Sequence, residues 1–128
     1  MTRVLVVDDE PDFASTYERL LRRKGHGVVA AATKHAGLAA LAAERLDLVI
    51  ADLRLPDGDG LDVVRAARKT AVPTPVIVIT GFASEASRQA SLAAGASAYL
   101  AKPFAASTFA ALVEKFLSAA PRESRDPD

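Results

Sequence analysis

The chain has 128 residues, half of them hydrophobic and a quarter charged, with 16 basic and 16 acidic residues giving a formal charge of zero. That length supports one domain with a buried core and hardly two. Zero net charge gives no general attraction to nucleic acid or anionic lipid, and without cysteine the fold cannot rest on disulfides or thiolate metal ligands.

Apolar β-branched runs alternate five times with stretches of helical period. The first strand, near Arg3–Val7, leads to a helix at about Pro11–Lys24 in which Phe13, Tyr17, Leu20 and Leu21 share one face. Asp9 or Glu10 is placed to cap it, Pro11 suits its first turn, and Gly25 ends it. A weak strand at about Val28–Ala31 precedes a helix at about Lys34–Glu44 that turns Leu38 and Leu41 inward. The third strand is Leu48–Ala51. Pro56-Asp57-Gly58-Asp59-Gly60 is turn-forming, and a helix follows from about Leu61 to Lys69 with Val64 and Ala67 inside. Val76–Ile79 is the most apolar segment and is expected in the sheet interior, buried on both faces. Helices at about Ser84–Ala94 and Ala105–Leu117 flank a fifth strand, Ala98–Ala101, and Pro121 is expected to stop the last helix. Five βα units predict an α/β fold: a parallel sheet with right-handed crossovers and helices on both faces, in three layers. Residues 1–119 make up this domain, and 120–128 are a polar tail or the start of a linker.

Four strand ends carry the chemistry. Asp8 and Asp9 close the first strand, Asp52 the third, Thr80 the fourth, and Lys102 follows the fifth. Ligands of open parallel sheets bind outside the carboxyl ends of the strands, so these groups are expected to converge. If the three aspartates lie ~5 Å apart, each ionised pair repels by roughly 3 kcal/mol at an effective dielectric near 20. Such a site needs a proton, Lys102 as counter-ion, or a divalent cation, and an oxygen-only donor set favours Mg²⁺. One Asp52 oxygen is then free to attack phosphorus, with Lys102, the Thr80 hydroxyl and the Gly81 backbone N–H placed to stabilise phosphoryl oxygens.

From Val4 to about Leu117 the chain resembles the receiver domain of two-component response regulators. The resemblance is carried by Val6-Val7-Asp8-Asp9-Glu10-Pro11, by Asp52-Leu53-Arg54-Leu55-Pro56-Asp57-Gly58-Asp59-Gly60-Leu61, by Thr80-Gly81, and by Tyr99-Leu100-Ala101-Lys102-Pro103-Phe104. It implies a flavodoxin-like (βα)5 sandwich with strand order 2-1-3-4-5. It also implies that Asp52 accepts a phosphoryl group from a sensor histidine kinase or phosphotransfer protein. Asp8, Asp9, Asp52 and the Arg54 carbonyl would hold Mg²⁺, Thr80 and Tyr99 would act as switch residues, and the Lys102–Pro103 bond would be cis. The surface of helix four, strand five and helix five would then control an output domain or effector and could support a homodimer. Two departures stand out. Ser97-Ala98 replaces the acidic pair of the winged-helix transcription subfamily, and Arg54 and Phe82 occupy the positions two beyond Asp52 and Thr80, which influence phosphoryl lifetime in that family.

Other readings are weaker. A phosphatase of the haloacid-dehalogenase type also uses an aspartyl nucleophile, but it wants a second acid where Arg54 stands. A constitutive binding module with a vestigial acidic site leaves the full residue set without a purpose. No apolar run is long enough to span a bilayer, and the strand pattern begins too early for a signal peptide, so the expected address is cytoplasmic, with no membrane or direct nucleic-acid contact.

Overall fold

Alternating side chains on five short strands divide the core in two. The computed structural model describes residues 2–119. Its central sheet consists of β1 (Arg3–Val7), β2 (Gly27–Ala31), β3 (Leu48–Ala51), β4 (Val76–Thr80) and β5 (Ala98–Ala101). All pairings are parallel and the order is β2-β1-β3-β4-β5, as the family resemblance implied. Helices α1 (Pro11–Arg23), α2 (Lys34–Ala43), α3 (Leu61–Arg68), α4 (Glu85–Ala94) and α5 (Ala106–Ala119) provide the crossovers and the final layer. The polar tail expected over 120–128, and the helix stop expected at Pro121, lie outside the described residues.

Successive strand residues face opposite layers. Leu5, Val7, Val49, Ala51, Val76 and Val78 pack with Leu41 of α2 and Val63, Val64 and Ala67 of α3. Val4, Val6, Leu48, Ile50, Ile77 and Ile79 pack with Tyr17 and Leu21 of α1 and Phe109, Val113 and Leu117 of α5. The β4 residues are fully buried between the two clusters, as their unbroken apolar run predicts. Boundaries shift from the sequence reading by a residue or two. Ser84, for example, lies outside α4 as its N-cap, in a reciprocal box with Ser87: the Ser84 side chain accepts from Ser87 N–H at 3.0 Å, and the Ser84 N–H donates to Ser87 Oγ at 3.2 Å. No helix among the described residues is long and apolar enough to cross a membrane.

One helix cap differs from expectation, and another is supplied from a distant loop. Glu10 holds the N-cap position of α1 but makes no side-chain cap bond, and Asp9 supplies none either. Instead the Glu10 N–H donates to Asp8 Oδ1 at 2.9 Å, so the acid that ends β1 also turns the chain into α1. The α2 N-terminus draws a partner from 23 residues away. The Lys34 and His35 N–H groups donate to Asp57 Oδ1 and Oδ2 at 2.7 and 2.8 Å, while Thr33 Oγ1 accepts from Ala36 N–H at 3.0 Å. Lys34 Nζ adds an ion pair at 3.0 Å to Asp62 in the first turn of α3.

Those two N–H bonds, led by that from His35, hold the Asp57 carboxyl below its ordinary value of 3.8. A depressed folded-state value means that the contribution is fully present above the ordinary value and is lost as pH falls through the folded one. Asp57→Asn should therefore lower Tm at neutral pH. Melting curves run from pH 7 down to pH 2 should show the gap between variant and wild type narrowing below the ordinary aspartate range.

Candidate functional site

The carboxyl edge of the sheet gathers the acids. Asp8 ends β1 and Asp52 ends β3, adjacent strands in register, and the Asp52 N–H donates to the Val7 carbonyl at 2.9 Å. Lys102 follows β5, and its N–H donates to the Thr80 carbonyl at 2.9 Å, locking the ends of β4 and β5 together. The Lys102–Pro103 bond is cis. From there the ammonium reaches back across the sheet to three carboxylates: Asp8 Oδ2 and Asp52 Oδ2 at 2.9 Å each, and Glu10 Oε1 at 2.6 Å. The side chains of Lys102, Asp8 and Asp52 are almost wholly buried, and that of Glu10 is half exposed.

Charge explains the arrangement. One carboxylate oxygen from each of Asp8, Glu10 and Asp52 lies within 4.8 Å of the others. At an effective dielectric near 20, the buried Asp8 and Asp52 charges repel by at least about 3 kcal/mol, while each contact with the ammonium returns about 6 kcal/mol. Burial opposes the charge on Lys102, but hydrogen bonds to Glu10, Asp52 and Asp8 overcome it and push the ammonium above its ordinary value. Burial raises the Asp8 carboxyl, against the Glu10 N–H bond and Lys102 that lower it. Burial thus dominates at Asp8, whereas at Lys102 the surrounding carboxylates outweigh it.

The cleft above the cluster, about 540 Å³, is lined by Asp9, Glu10, Phe13, Asp52, Arg54, Gly81, Phe82, Lys102 and Pro103. The structure thus brings Asp8, Asp52 and Lys102 together as expected, and Gly81 and Arg54 line the mouth. Asp9 is exposed on the cleft wall, outside the tight acid group; the third member is Glu10, which the sequence reading treated only as a helix cap. The signal was present in three consecutive acids, but strand alternation does not determine which of them folds back at a strand-to-helix turn. Thr80 is fully buried and its Oγ1 accepts from the Phe82 N–H at 3.1 Å. Tyr99 is half-buried and docked on the start of α4, its hydroxyl accepting from the Ser84 N–H at 3.3 Å and hydrogen-bonded to Ser87 Oγ.

Three features of the site escaped the sequence reading. The Arg54 guanidinium stacks on the exposed Phe82 ring, 3.7 Å from its centroid, bridging the cleft between the β3 and β4 loops. The Lys102 ammonium lies 4.2 Å from the centroid of the Phe13 ring, so α1 supplies part of its floor. Gly60 is required by close approach rather than by backbone angle. Arg54–Leu55 pair with Gly58–Asp59 in a two-residue antiparallel ribbon, and the Gly60 N–H donates to the Leu53 carbonyl at 2.8 Å. A Cβ on Gly60 would fall 1.9 Å from the Asp52 carbonyl oxygen. Gly60→Ala must displace the Asp52 backbone, so we expect a lower Tm and altered amide shifts at Leu53 and Arg54, readable by NMR.

The geometry has counterparts. A family model described as the response regulator receiver domain matches residues 4–114. The KDP operon transcriptional regulatory protein KdpE of Escherichia coli is 41% identical over 104 residues, covering 81% of this chain and 46% of that protein. The transcriptional regulatory protein PrrA of Mycobacterium tuberculosis is 38% identical over 115 residues, 90% of this chain and 49% of that one. The chain spans about half the length of the curated relatives it matches. Among solved structures, a CheY-like response regulator receiver domain protein from Methanospirillum hungatei superposes with a TM-score of 0.90 at 32% identity, covering 96% of this chain and 98% of that one. The receiver domain of a sensor histidine kinase from Pseudomonas aeruginosa, with a magnesium ion coordinated in its active-site cleft, gives 0.83 at 28% identity, covering 92% and 98%.

Proposed function

Since the chain belongs to the response regulator receiver family, a set of phosphoacceptor switches in two-component signalling, we propose that Asp52 is its phosphoacceptor and that Lys102, Thr80 and the Gly81 N–H stabilise the group transferred. The observation that carries this is the buried Lys102 ammonium held 2.9 Å from Asp52 at the carboxyl edge of the sheet. Asp52 is aimed by its partners: Oδ1 accepts from the Leu53 N–H at 2.7 Å, and Oδ2 accepts from Lys102. An Asp52 oxygen attacks phosphorus in line, the new O–P bond forms as the P–N bond of a phosphohistidine breaks, and the imidazole leaves with the electron pair. Lys102 follows the charge onto a phosphoryl oxygen.

The donor set fits a hard divalent cation. Its groups are oxygens only, three carboxylates already lie within 4.8 Å, and the buried Asp8 Oδ2 has only the Lys102 ion pair to satisfy it. Asp8 and Asp52 would hold Mg²⁺ with the Arg54 carbonyl and an acid of the cleft wall, Asp9 or Glu10. When bound, the ion neutralises charge on the phosphoryl oxygens.

The switch runs through β4. The new phosphoryl oxygens compete for the Thr80 hydroxyl, which now accepts from the Phe82 N–H, and the loop leading to α4 follows. Tyr99 and the α4 cap share the Ser84 and Ser87 hydrogen bonds, so that movement reaches the α4–β5–α5 face, the surface we assign to an output domain, an effector or a second copy. A haloacid-dehalogenase-type phosphatase finds no support, because the side chain two beyond Asp52 is a guanidinium stacked on Phe82.

Incubation with acetyl phosphate and Mg²⁺ should label wild type and leave Asp52→Asn unlabelled; equal labelling of the two, read by intact mass, overturns the assignment. The Arg54–Phe82 bridge bounds the route by which water reaches Asp52. Phe82→Ala should therefore shorten the phosphoryl half-life severalfold while leaving the fold intact, as followed by loss of the labelled mass over time.

A further inference from the structure

Helix α1 presents one stripe to the acid cluster: Glu10 at its N-cap, Phe13 one turn on, Tyr17 one turn further. Glu10 and Phe13 both contact Lys102, through an ion pair and a ring face. Tyr17 is different. It is fully buried, its ring stacks on Phe104 and Phe109 with centroids 5.7 and 5.4 Å apart, and its hydroxyl has no hydrogen-bond partner. The group it faces is the Asp8 carboxylate. Among the described residues, Tyr17 Oη is a buried hydroxyl with no hydrogen-bond partner, while Asp8 Oδ2 is held by the Lys102 ion pair at 2.9 Å.

Leaving a hydroxyl unpaired in an apolar core is unfavourable, and a phenylalanine would fill the same space without that cost. Asp8 Oδ2 meanwhile depends on the Lys102 ammonium at 2.9 Å, the same ammonium that phosphorylation of Asp52 would engage. We propose that Tyr17 is a positioning residue, a reserve donor that takes up Asp8 Oδ2 when Lys102 turns to the phosphoryl group. The phenol donates a hydrogen bond, and no covalent bond changes. Asp8 thereby keeps its place beside Asp52 after losing its ammonium. This rests on the phosphoacceptor reading above.

Wild type, Tyr17→Phe, Asp8→Asn and the double variant are compared as full chains, at rest and with Mg²⁺ plus beryllofluoride as the phosphoryl mimic. At rest, Tyr17→Phe should melt at or above wild type, because it removes an unpaired hydroxyl. With the mimic bound, the gain in Tm should be smaller for Tyr17→Phe, and Mg²⁺ affinity should fall about tenfold, the lower end for an outer-shell partner of a metal-held carboxylate. The chain has two tyrosines and no tryptophan, so a near-UV change on loading that is present in wild type and missing from Tyr17→Phe reports the phenol itself. In the Asp8→Asn background, Tyr17→Phe should have no further effect on Mg²⁺ affinity. Equal Tm gains and equal Mg²⁺ affinities for wild type and Tyr17→Phe overturn the proposal and make Tyr17 a packing residue. A wild type that responds to neither Mg²⁺ nor the mimic overturns the phosphoacceptor reading instead, and this inference with it.

Discussion

The Lys102 ammonium is the charge on which the site rests. Asp8 and Asp52 end adjacent strands, so the sheet brings two almost wholly buried carboxylates together at one edge. Their mutual repulsion has to be offset by a cation or a retained proton. Lys102 offsets this from two strands away: the β4–β5 register and its N–H bond to the Thr80 carbonyl set it at the sheet edge, and its ammonium reaches back to both acids. One ammonium against three carboxylates compensates the resting site only in part. A divalent cation and a phosphoryl group bring opposite charges into that balance, and the ammonium is the mobile member that can follow the anion.

The two sides of the cleft are built differently. On the β3 side the loop is tied down by backbone and long-range bonds: Gly60 against the Asp52 carbonyl, the Arg54–Leu55 ribbon, and Asp57 clamped onto α2. On the β4 side the loop bonds are mostly short-range, Thr80 to the Phe82 N–H and the Ser84–Ser87 box, with the Tyr99 hydroxyl of β5 joining that box. Local bonds can be exchanged without unfolding a neighbouring element. The proposed acceptor, Asp52, therefore sits on the tied-down wall, and the surface proposed to change lies beyond the other one.

Much of this was legible in the chain itself, for reasons that vary from residue to residue. Hydrophobic period placed all five strands and five helices within a residue or two, and strand ends placed Asp8, Asp52, Thr80 and Lys102 on one edge, because a parallel sheet aligns its carboxyl termini. Asp9 was expected in the acid group from its place at the end of the first strand and from the family resemblance; where β1 gives way to α1 the Glu10 N–H bonds Asp8, and Glu10 is the acid that folds back toward Lys102. The Asp57 cap was out of reach because its donors are 23 residues away and nothing local marks the pairing. Gly60 could be read as a turn residue but not as a close approach, since the conflict is with backbone folded over it. The Arg54–Phe82 stack joins two loops, and contacts between loops have no period to reveal them.

The position of Lys102 is finally a property of the core. Pro103 leads directly into Phe104, whose ring stacks on Tyr17 at 5.7 Å and sits 5.5 Å from Phe109 and 6.2 Å from Phe13. Phe13 in turn lies beneath the ammonium. The aromatic cluster between α1 and α5 therefore fixes the segment that carries the lysine and supplies the face on which its charge rests. Aromatic rings pack at native density and do not yield continuously. A displacement of Lys102 toward a phosphoryl group must either be absorbed by its own flexible stem or be transmitted to rings already in contact with α5. The first leaves the core unchanged, and the second makes α5 sense the charge state of Asp52 without any route through Thr80. The burial of Phe109 and Phe104's contact with it place that second path within the packed interior, where small shifts are passed on rather than dissipated.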